Sequence, residues 1–164
     1  MTAARVIARA RALGRTVAVA ESLTAGAVAA RLAEPPGASD ALLGAVVAYA
    51  TRVKRELLGV DGELLATHGP VHPEVAWQMA DGVRRLLGSD VGVATTGVAG
   101  PGPADGHPAG TVYVAAVAGG QNGVPVRGQV RGYRLAGTRP LVRTATCGLA
   151  LAALVAVLES DRDV

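Results

Sequence analysis

The sequence predicts one layered α/β/α domain, 1–164, with a mixed, mostly parallel sheet. Short runs rich in Val and Ala alternate with segments of helical spacing through the first two thirds of the chain, as expected of a sheet covered by helices. Two strand-like runs then follow each other directly and make the sheet mixed. The length of 164 residues, half of them hydrophobic, fits one domain and excludes a disordered chain.

Helices are predicted where apolar positions recur every three to four residues. These segments are 2–13, a stretch ending at Leu32, a short helix carrying Lys54, 61–67, 73–87 and 138–158. Their ends carry the usual signals. Gly14 ends the first helix, Thr51 is the expected N-cap of the third, and Pro73 stands in the first turn of the fifth.

Strands are predicted where short runs are apolar and β-branched. They are 16–21, 44–50, 91–98, 110–119 and 124–135. The run 16–21 is apolar almost throughout, as in a buried strand, whereas 124–135 alternates as an edge strand does. A loop rich in Gly and Pro, 99–110, joins the third and fourth strands.

Composition narrows the class of protein. Aromatic residues make up 2% and Phe is absent, so the core must pack through small side chains and close backbone approach. The net charge is +3, but the Arg residues are scattered, without the basic run of a nucleic-acid tail. The single cysteine, Cys147, permits no intrachain disulfide and suits a reducing cytoplasm. The apolar stretch 145–158 is too short for a membrane span and is interpreted as a buried helix.

Lys54 is the only lysine beside 15 arginines. A side chain that can lose its proton is the function that Arg cannot supply, so Lys54 is a candidate base. The alternative is one surviving lysine on a solvated surface. Burial would lower the pKa of its amine, and a place in the first turn of a helix, near the positive end of the dipole, would act in the same direction.

Three strand ends collect polar residues: 21–26, 49–54 and 95–97. In open α/β sheets, ligands bind beyond the carboxyl ends of strands. Ser22 follows a predicted strand and precedes a helix, where backbone N–H groups bind phosphate or an oxyanion. Ser22 or Thr24 serving only as a helix cap is the commoner alternative. A base is required to make Ser22 a nucleophile, and Lys54 is the candidate.

Other residues add possible contacts. Tyr49 ends the second predicted strand and is a candidate proton relay or substrate contact, or else ordinary packing. Arg139 and Arg143 lie four apart on one helical face and suit phosphate, or else form a solvated face. The Gly-rich loop could bring backbone amides to a phosphate, or be only a long turn. His68, His72 and His107 are interpreted as exposed loop residues, without metal-ligand spacing, and Cys147 as packing.

Several motifs together resemble the C-terminal domain of CinA and its stand-alone nicotinamide-nucleotide amidohydrolases. They are AESLTAG (20–26), GAVVAYATRVK (44–54), LLGV (57–60), THGPVHPEVA (67–76), TTGVAGPG (95–102) and GTVYVA (110–115). The resemblance covers residues 5–158 and implies nothing about the N-terminal domain of full-length CinA proteins. Each motif is weak alone, but all occur in the family's order.

The resemblance implies hydrolysis of nicotinamide mononucleotide by a Ser–Lys pair, in NAD recycling. That pair falls on Ser22 and Lys54, with Tyr49 as a third catalytic residue. As substrate contacts we predict Thr24, Gly26, Thr96, Gly97, Gly100, Arg139 and Arg143. We expect neither a metal nor an organic cofactor. We also expect the protein to be a cytoplasmic homo-oligomer, with a dimer favoured. A non-catalytic nucleotide-binding module and a structural domain are the alternatives.

Three positions depart from the family's pattern. Ala25 replaces a glycine, Thr51 an asparagine and His72 a serine that is a probable helix cap. The loop 102–109 is also shortened and rich in Pro. We expect these changes to affect substrate affinity more than the type of reaction.

Overall fold

The computed structural model describes residues 2–119 and 125–160. A five-stranded sheet in the order β2-β1-β3-β4-β5 lies between two layers of helices. The elements are α1 (Ala3–Ala12), β1 (Val17–Glu21), α2 (Ala27–Ala33), a 3₁₀ turn (Ala38–Asp40), β2 (Leu42–Val47), α3 (Thr51–Glu56), α4 (Gly62–His68), α5 (Pro73–Leu87), β3 (Val91–Gly97), β4 (Thr111–Ala118), β5 (Arg127–Arg134) and α6 (Arg139–Ser160).

The direction of the strands places the site. β1 pairs in parallel with β2 on one side and β3 on the other, whereas β4 runs antiparallel to both β3 and β5. Four of the five strands therefore point the same way, which confirms the predicted mixed, mostly parallel sheet. Because β1, β2 and β3 are parallel neighbours, their carboxyl ends meet at one edge of the sheet, where a ligand cavity is expected.

Each face of the sheet has its own apolar core. Helices α1, α2 and α6 cover one face, and α5 with the segment around Leu58 covers the other. The cores are packed by close approach of neighbouring backbones rather than by large side chains. A Cβ added to Gly92 would lie 2.0 Å from the carbonyl oxygen of Ala80, and one added to Gly82 would lie equally near that of Leu58. The expected packing through small residues is therefore confirmed.

The helix α6 is long and apolar enough, by length and composition, to cross a bilayer. Its buried residues, among them Leu151 and Leu154, instead join the core formed with α1, β3 and β4. This agrees with the predicted buried helix. Within the described part of α6, Leu141 is a large apolar residue that stays exposed.

Some predicted boundaries were wrong. β2 covers 42–47 rather than 44–50, so Tyr49 lies in the connection to α3. Thr51 is the first residue of α3 and not its cap; Ala50 holds the N-cap position without a side-chain bond. The last strand begins at Arg127, and the predicted start at Val124 lies outside the described residues.

Candidate active site

A cavity of about 330 Å³ opens at the carboxyl ends of β1, β2 and β3, a size within the range of small-molecule sites. Its lining comprises Ser22, Leu23, Tyr49, Thr51, Lys54, Pro70, Val71, residues 96–105 and Arg139. We call Ser22, Leu23 and Lys54 the inner wall, and the exposed residues 101–105 the outer wall. Seven of the ten predicted site residues meet here; Thr24, Gly26 and Arg143 do not line the cavity.

Ser22 and Lys54 face each other across the inner wall. The Nζ of Lys54 lies 3.1 Å from Oγ of Ser22, although the residues are 32 positions apart. The amine also lies 2.7 Å from the carbonyl oxygen of Ala48 and 3.3 Å from that of Tyr49. Parallel pairing of β1 with β2 produces this contact, because Ser22 follows the first strand and α3 follows the second.

The three contacts of Lys54 define the role of each proton. A carbonyl oxygen only accepts hydrogen bonds, so two N–H bonds of the amine point to Ala48 and Tyr49. In a neutral amine the remaining position is a lone pair, and it is directed at the hydroxyl of Ser22. The geometry is therefore that of a base hydrogen-bonded to its nucleophile.

Burial favours the neutral form of the Lys54 amine. Lys54 is 1% exposed, and loss of water lowers the pKa of its amine from 10.5 to about 8, while the carboxylate of Asp105 opposes this and raises it. Desolvation was the expected cause. The expected dipole effect was wrong, since Lys54 is the fourth of six residues in α3 and lies in the second half of that helix.

The turn 22–26 is held by a buried carboxylate that sequence reasoning missed. Glu21 is fully buried; its Oε2 accepts from the N–H groups of Gly26 and Val28, and its Oε1 accepts from that of Ala29. The N-terminus of α2 is thereby satisfied. Our expectation that N–H groups near the start of this helix hold an oxyanion beside Ser22 is therefore wrong for these three residues.

Arg143 holds the same turn from the other side. Its Nε and Nη2 donate to the carbonyl oxygens of Leu23 and Thr24, at 3.0 and 2.8 Å. The hydroxyl of Thr24 bonds to that of Thr95 inside the core, at 2.8 Å. Gly26, with φ +93°, occupies the N-cap of α2 and donates to Glu21. These predicted substrate contacts fix the backbone next to Ser22 instead.

Arg139 bonds two other predicted site residues at the rim. Its Nη1 donates to the carbonyl oxygen of Gly100 at 2.9 Å, and its Nη2 donates to the Tyr49 hydroxyl at 2.7 Å. Tyr49 is 56% exposed, so its ring lies at the mouth of the cavity. Its carbonyl oxygen, rather than its hydroxyl, contacts Lys54.

The floor of the cavity is formed by the end of β3. The Thr96 hydroxyl donates to the carbonyl oxygen of Pro70 at 2.7 Å and joins β3 to the turn before α5. A Cβ on Gly97 would lie 2.4 Å from the carbonyl oxygen of Thr111, so Gly97 is required for the pairing with β4.

The histidines and the cysteine lie outside the lining. His68 ends α4 rather than lying in a loop, and its ring stacks on that of His72 with centroids 4.7 Å apart. His72 caps α5: its Nδ1 accepts from the N–H of Glu74, as expected for a cap position. Cys147 is buried in α6, and burial raises the pKa of its thiol. Within 2–119 and 125–160, no group of three or more His, Cys, Asp or Glu is placed to hold a metal ion.

Comparison with known proteins places this chain in a family. The model of the CinA C-terminal domain matches residues 1–158. A CinA-like protein of Frankia casuarinae is 50% identical over 129 residues, which are 79% of this chain and 28% of that protein. The chain spans between a quarter and a third of the length of the first curated relatives it matches.

Solved structures agree with the fold. A competence/damage inducible protein from Agrobacterium tumefaciens superimposes with a TM-score of 0.86 at 36% identity, covering 94% of this chain and 92% of that one. A CinA superfamily protein from Klebsiella pneumoniae gives 0.86 at 33% identity, covering 96% of each chain.

Proposed function

Because this chain belongs to the CinA C-terminal domain family, we propose that it hydrolyses the carboxamide of nicotinamide mononucleotide to nicotinate mononucleotide and ammonia, as a cytoplasmic step of NAD recycling. The observation that supports this most strongly is the 3.1 Å contact between Nζ of Lys54 and Oγ of Ser22 inside a cavity. A buried lysine that donates to two carbonyl oxygens is organised to receive a third proton, and the hydroxyl is its source.

In the first half of the reaction, Oγ of Ser22 attacks the carboxamide carbon while Nζ of Lys54 takes the hydroxyl proton. Collapse of the tetrahedral intermediate breaks the C–N bond. The same proton passes from Lys54 to the leaving nitrogen, and ammonia departs. An acyl ester on Ser22 and a neutral Lys54 remain.

In the second half, water attacks the ester carbonyl, and Lys54 takes a proton from the water. The C–O bond to Ser22 breaks, the serine recovers its proton from Lys54, and nicotinate mononucleotide leaves. The balance needs only the amide and one water. Neither a metal nor an organic cofactor takes part in this scheme.

The remaining lining residues orient the nucleotide. Arg139 stands at the rim, where its guanidinium suits the phosphate, and Tyr49 presents a ring and hydroxyl beside it. The backbone of Gly97 and Gly100 and the side chain of Thr96 complete the ribose side of the cavity. The turn fixed by Glu21 and Arg143 holds Ser22 in place.

Release of ammonia from nicotinamide mononucleotide tests the proposal. The unaltered protein should release one ammonia per nicotinate mononucleotide formed, and Ser22→Ala should reduce kcat/KM by about a thousandfold or more. Ser39→Ala, an exposed serine far from the cavity, is the matched control and should keep full activity. No release by the unaltered protein, or undiminished release by Ser22→Ala, contradicts the mechanism. Nucleotide binding without turnover would favour a non-catalytic binding module.

We further propose that two copies associate through β2. This edge strand, LLGAVV, carries no charge, and its alternate residues Leu43 and Val47 are each 47% exposed. Light scattering should give twice 16.4 kDa for the unaltered chain and 16.4 kDa for Leu43→Lys. Gln129→Lys on the opposite edge strand is the control and should remain dimeric. A monomeric unaltered chain contradicts this proposal.

A further inference from the structure

Asp105 lies in the outer wall of the cavity that Ser22 and Lys54 also line. Its backbone adopts φ +50°, a left-handed conformation that Asp and Asn tolerate better than most residues. Asp105 is exposed on the loop 98–110. Its Cβ lies close to the turn before α5, 4.0 Å from where a Cβ added to Gly69 would stand. Sequence reasoning gave this residue no role.

Among residues 2–119 and 125–160, neither a hydrogen bond nor an ion pair engages the carboxylate of Asp105. Its charge nonetheless acts on the inner wall, where it raises the pKa of Lys54 against the effect of burial. The carboxylate is therefore electrostatically coupled to the reacting pair and open to the cavity.

Among the described residues, three charged side chains line the cavity, those of Lys54, Asp105 and Arg139. Lys54 must be neutral to act as a base. In its working state the cavity then has one cation at the rim, Arg139, whose guanidinium already contacts Gly100 and Tyr49, and one carboxylate in the outer wall, that of Asp105. A ligand with an anionic group at the rim and a cationic group near the carboxamide complements this arrangement.

We propose that Asp105 is a specificity-determining residue, which selects a carboxamide carried on a cationic aromatic ring and disfavours the carboxylate formed from it. This inference rests on the proposed hydrolysis of nicotinamide mononucleotide, whose pyridinium ring is positive. The reaction replaces a neutral amide by an anion in the same position. The ring is positive in both ligands, so its attraction to Asp105 favours both over a neutral ring, while repulsion of the new carboxylate weakens the binding of product relative to substrate.

The experiment measures binding to Ser22→Ala, which prevents turnover. The probes are nicotinamide mononucleotide, its dihydro form with a neutral ring, and nicotinate mononucleotide. Adding Asp105→Asn keeps the shape and the tolerance of the left-handed backbone while removing the charge. We expect the preference for the cationic over the neutral ring to fall on the order of fivefold, as for a partly exposed charge pair, and the preference for nicotinamide mononucleotide over nicotinate mononucleotide to fall as well. Glu63→Gln, an exposed acid on α4 outside the cavity, should change neither.

Steady-state kinetics of Asp105→Asn on an otherwise unaltered chain give a second measurement. KM for nicotinamide mononucleotide should rise, and the ratio of the inhibition constant of nicotinate mononucleotide to that KM should fall. If the chain hydrolyses the nucleotide but both quantities match those of the unaltered protein, the inference about Asp105 is wrong and the proposed function stands. If the unaltered chain neither binds nor hydrolyses it, the proposed function fails first.

Discussion

The two walls of the cavity are built in opposite ways. On the inner wall, Lys54 is 1% exposed and the turn that carries Ser22 is fixed by bonds from Glu21 and Arg143. On the outer wall, residues 101–105 are exposed, and an added Cβ at Gly102 would meet no atom within 4 Å. One wall is defined by buried polar bonds and the other by a loop on the surface.

This difference separates two tasks. Placing a neutral amine against a hydroxyl requires exclusion of water and fixed carbonyl acceptors, which a buried wall supplies. Distinguishing ligands by charge requires only a carboxylate in reach, which an exposed loop supplies with little cost to stability. We therefore expect substitutions in the inner wall to affect rate and folding together, and those in the outer wall to affect affinity and pH dependence.

Lys54→Met is the strongest test of the inner wall. Loss of the base should reduce kcat/KM by about a thousandfold or more, measured as ammonia release. The same change should also alter stability in a pH-dependent way, because the lowered pKa of Lys54 is a cost of burying the charged amine that Met does not carry; relative to the unaltered protein, the variant should be more stable at pH 7 than at pH 10. Urea unfolding measures this difference.

The direction in which stability changes with pH follows from the protons that the folded and unfolded chains bind. Below pH 8 both folded and unfolded chains hold the proton of Lys54, and the full cost applies. Between about 8 and 10.5 the folded chain has lost the proton and the unfolded chain has not, so the stability of the unaltered protein should rise with pH in that window. Lys54→Met should lack this rise; an equal rise in both chains would show that the amine is not responsible.

Glu21→Gln tests the fixed turn with the next largest effect. The amide cannot accept all three N–H bonds, so the free energy of unfolding should fall by about 2 kcal/mol, with a lower kcat and little change in KM. The exposed pair of Arg5 with Glu159 provides the control: Glu159→Gln should change stability by less than about 0.5 kcal/mol. Equal effects of the two substitutions would remove the distinction between the walls.

Asp105→Asn tests the outer wall through pH. The Asp105 carboxylate raises the pKa of Lys54, so its removal should lower that pKa further below about 8. The acid limb of the rate profile should then move to lower pH, and the normalised rate at pH 6.5 should increase. Because the chain has a single lysine, one Nζ resonance in a ¹⁵N-lysine-labelled sample measures the shift directly. An unmoved resonance would mean that the walls are not coupled.

Gly102→Ala should have the smallest effect. Its Cβ meets no neighbour and its φ lies outside the left-handed region, so the loss of unfolded-state freedom should stabilise the fold by about 0.5 kcal/mol. Thermal unfolding measures the change. Gly97→Ala at the floor is the contrast, since its Cβ would lie 2.4 Å from the carbonyl oxygen of Thr111 and should destabilise the protein. A destabilised Gly102→Ala would show that the outer wall is also tightly packed.

The same contrast explains what the sequence could predict. Alternating patterns predicted the layers, and parallel strand ends predicted the meeting of Ser22 with Lys54. Both depend on periodic burial, which a sequence displays. The N-cap at Thr51 and the dipole effect on Lys54 were wrong, because they depend on where a six-residue helix starts and on which of its turns the lysine occupies.

The side-chain contacts of the turn and the loop could not be predicted. Glu21 ends an apolar strand, and nothing in its spacing indicates that its carboxylate turns back to three N–H groups of α2. Asp105 lies in a Gly- and Pro-rich loop without periodicity, so its approach to the cavity depends on the path of that loop. The spacing of Arg139 and Arg143 places them on one helical face, yet Arg143 bonds the turn after Ser22 and Arg139 bonds the rim of the cavity.

The burial of Lys54 has a practical consequence. A protease that cuts only after lysine has one site in these 164 residues, and folding conceals it within α3. Digestion therefore reports opening of that helix, yielding two fragments, 1–54 and 55–164, at a rate set by how often the amine becomes accessible. A nucleotide that occupies the cavity should slow this cleavage, which gives a binding assay that needs neither turnover nor a label.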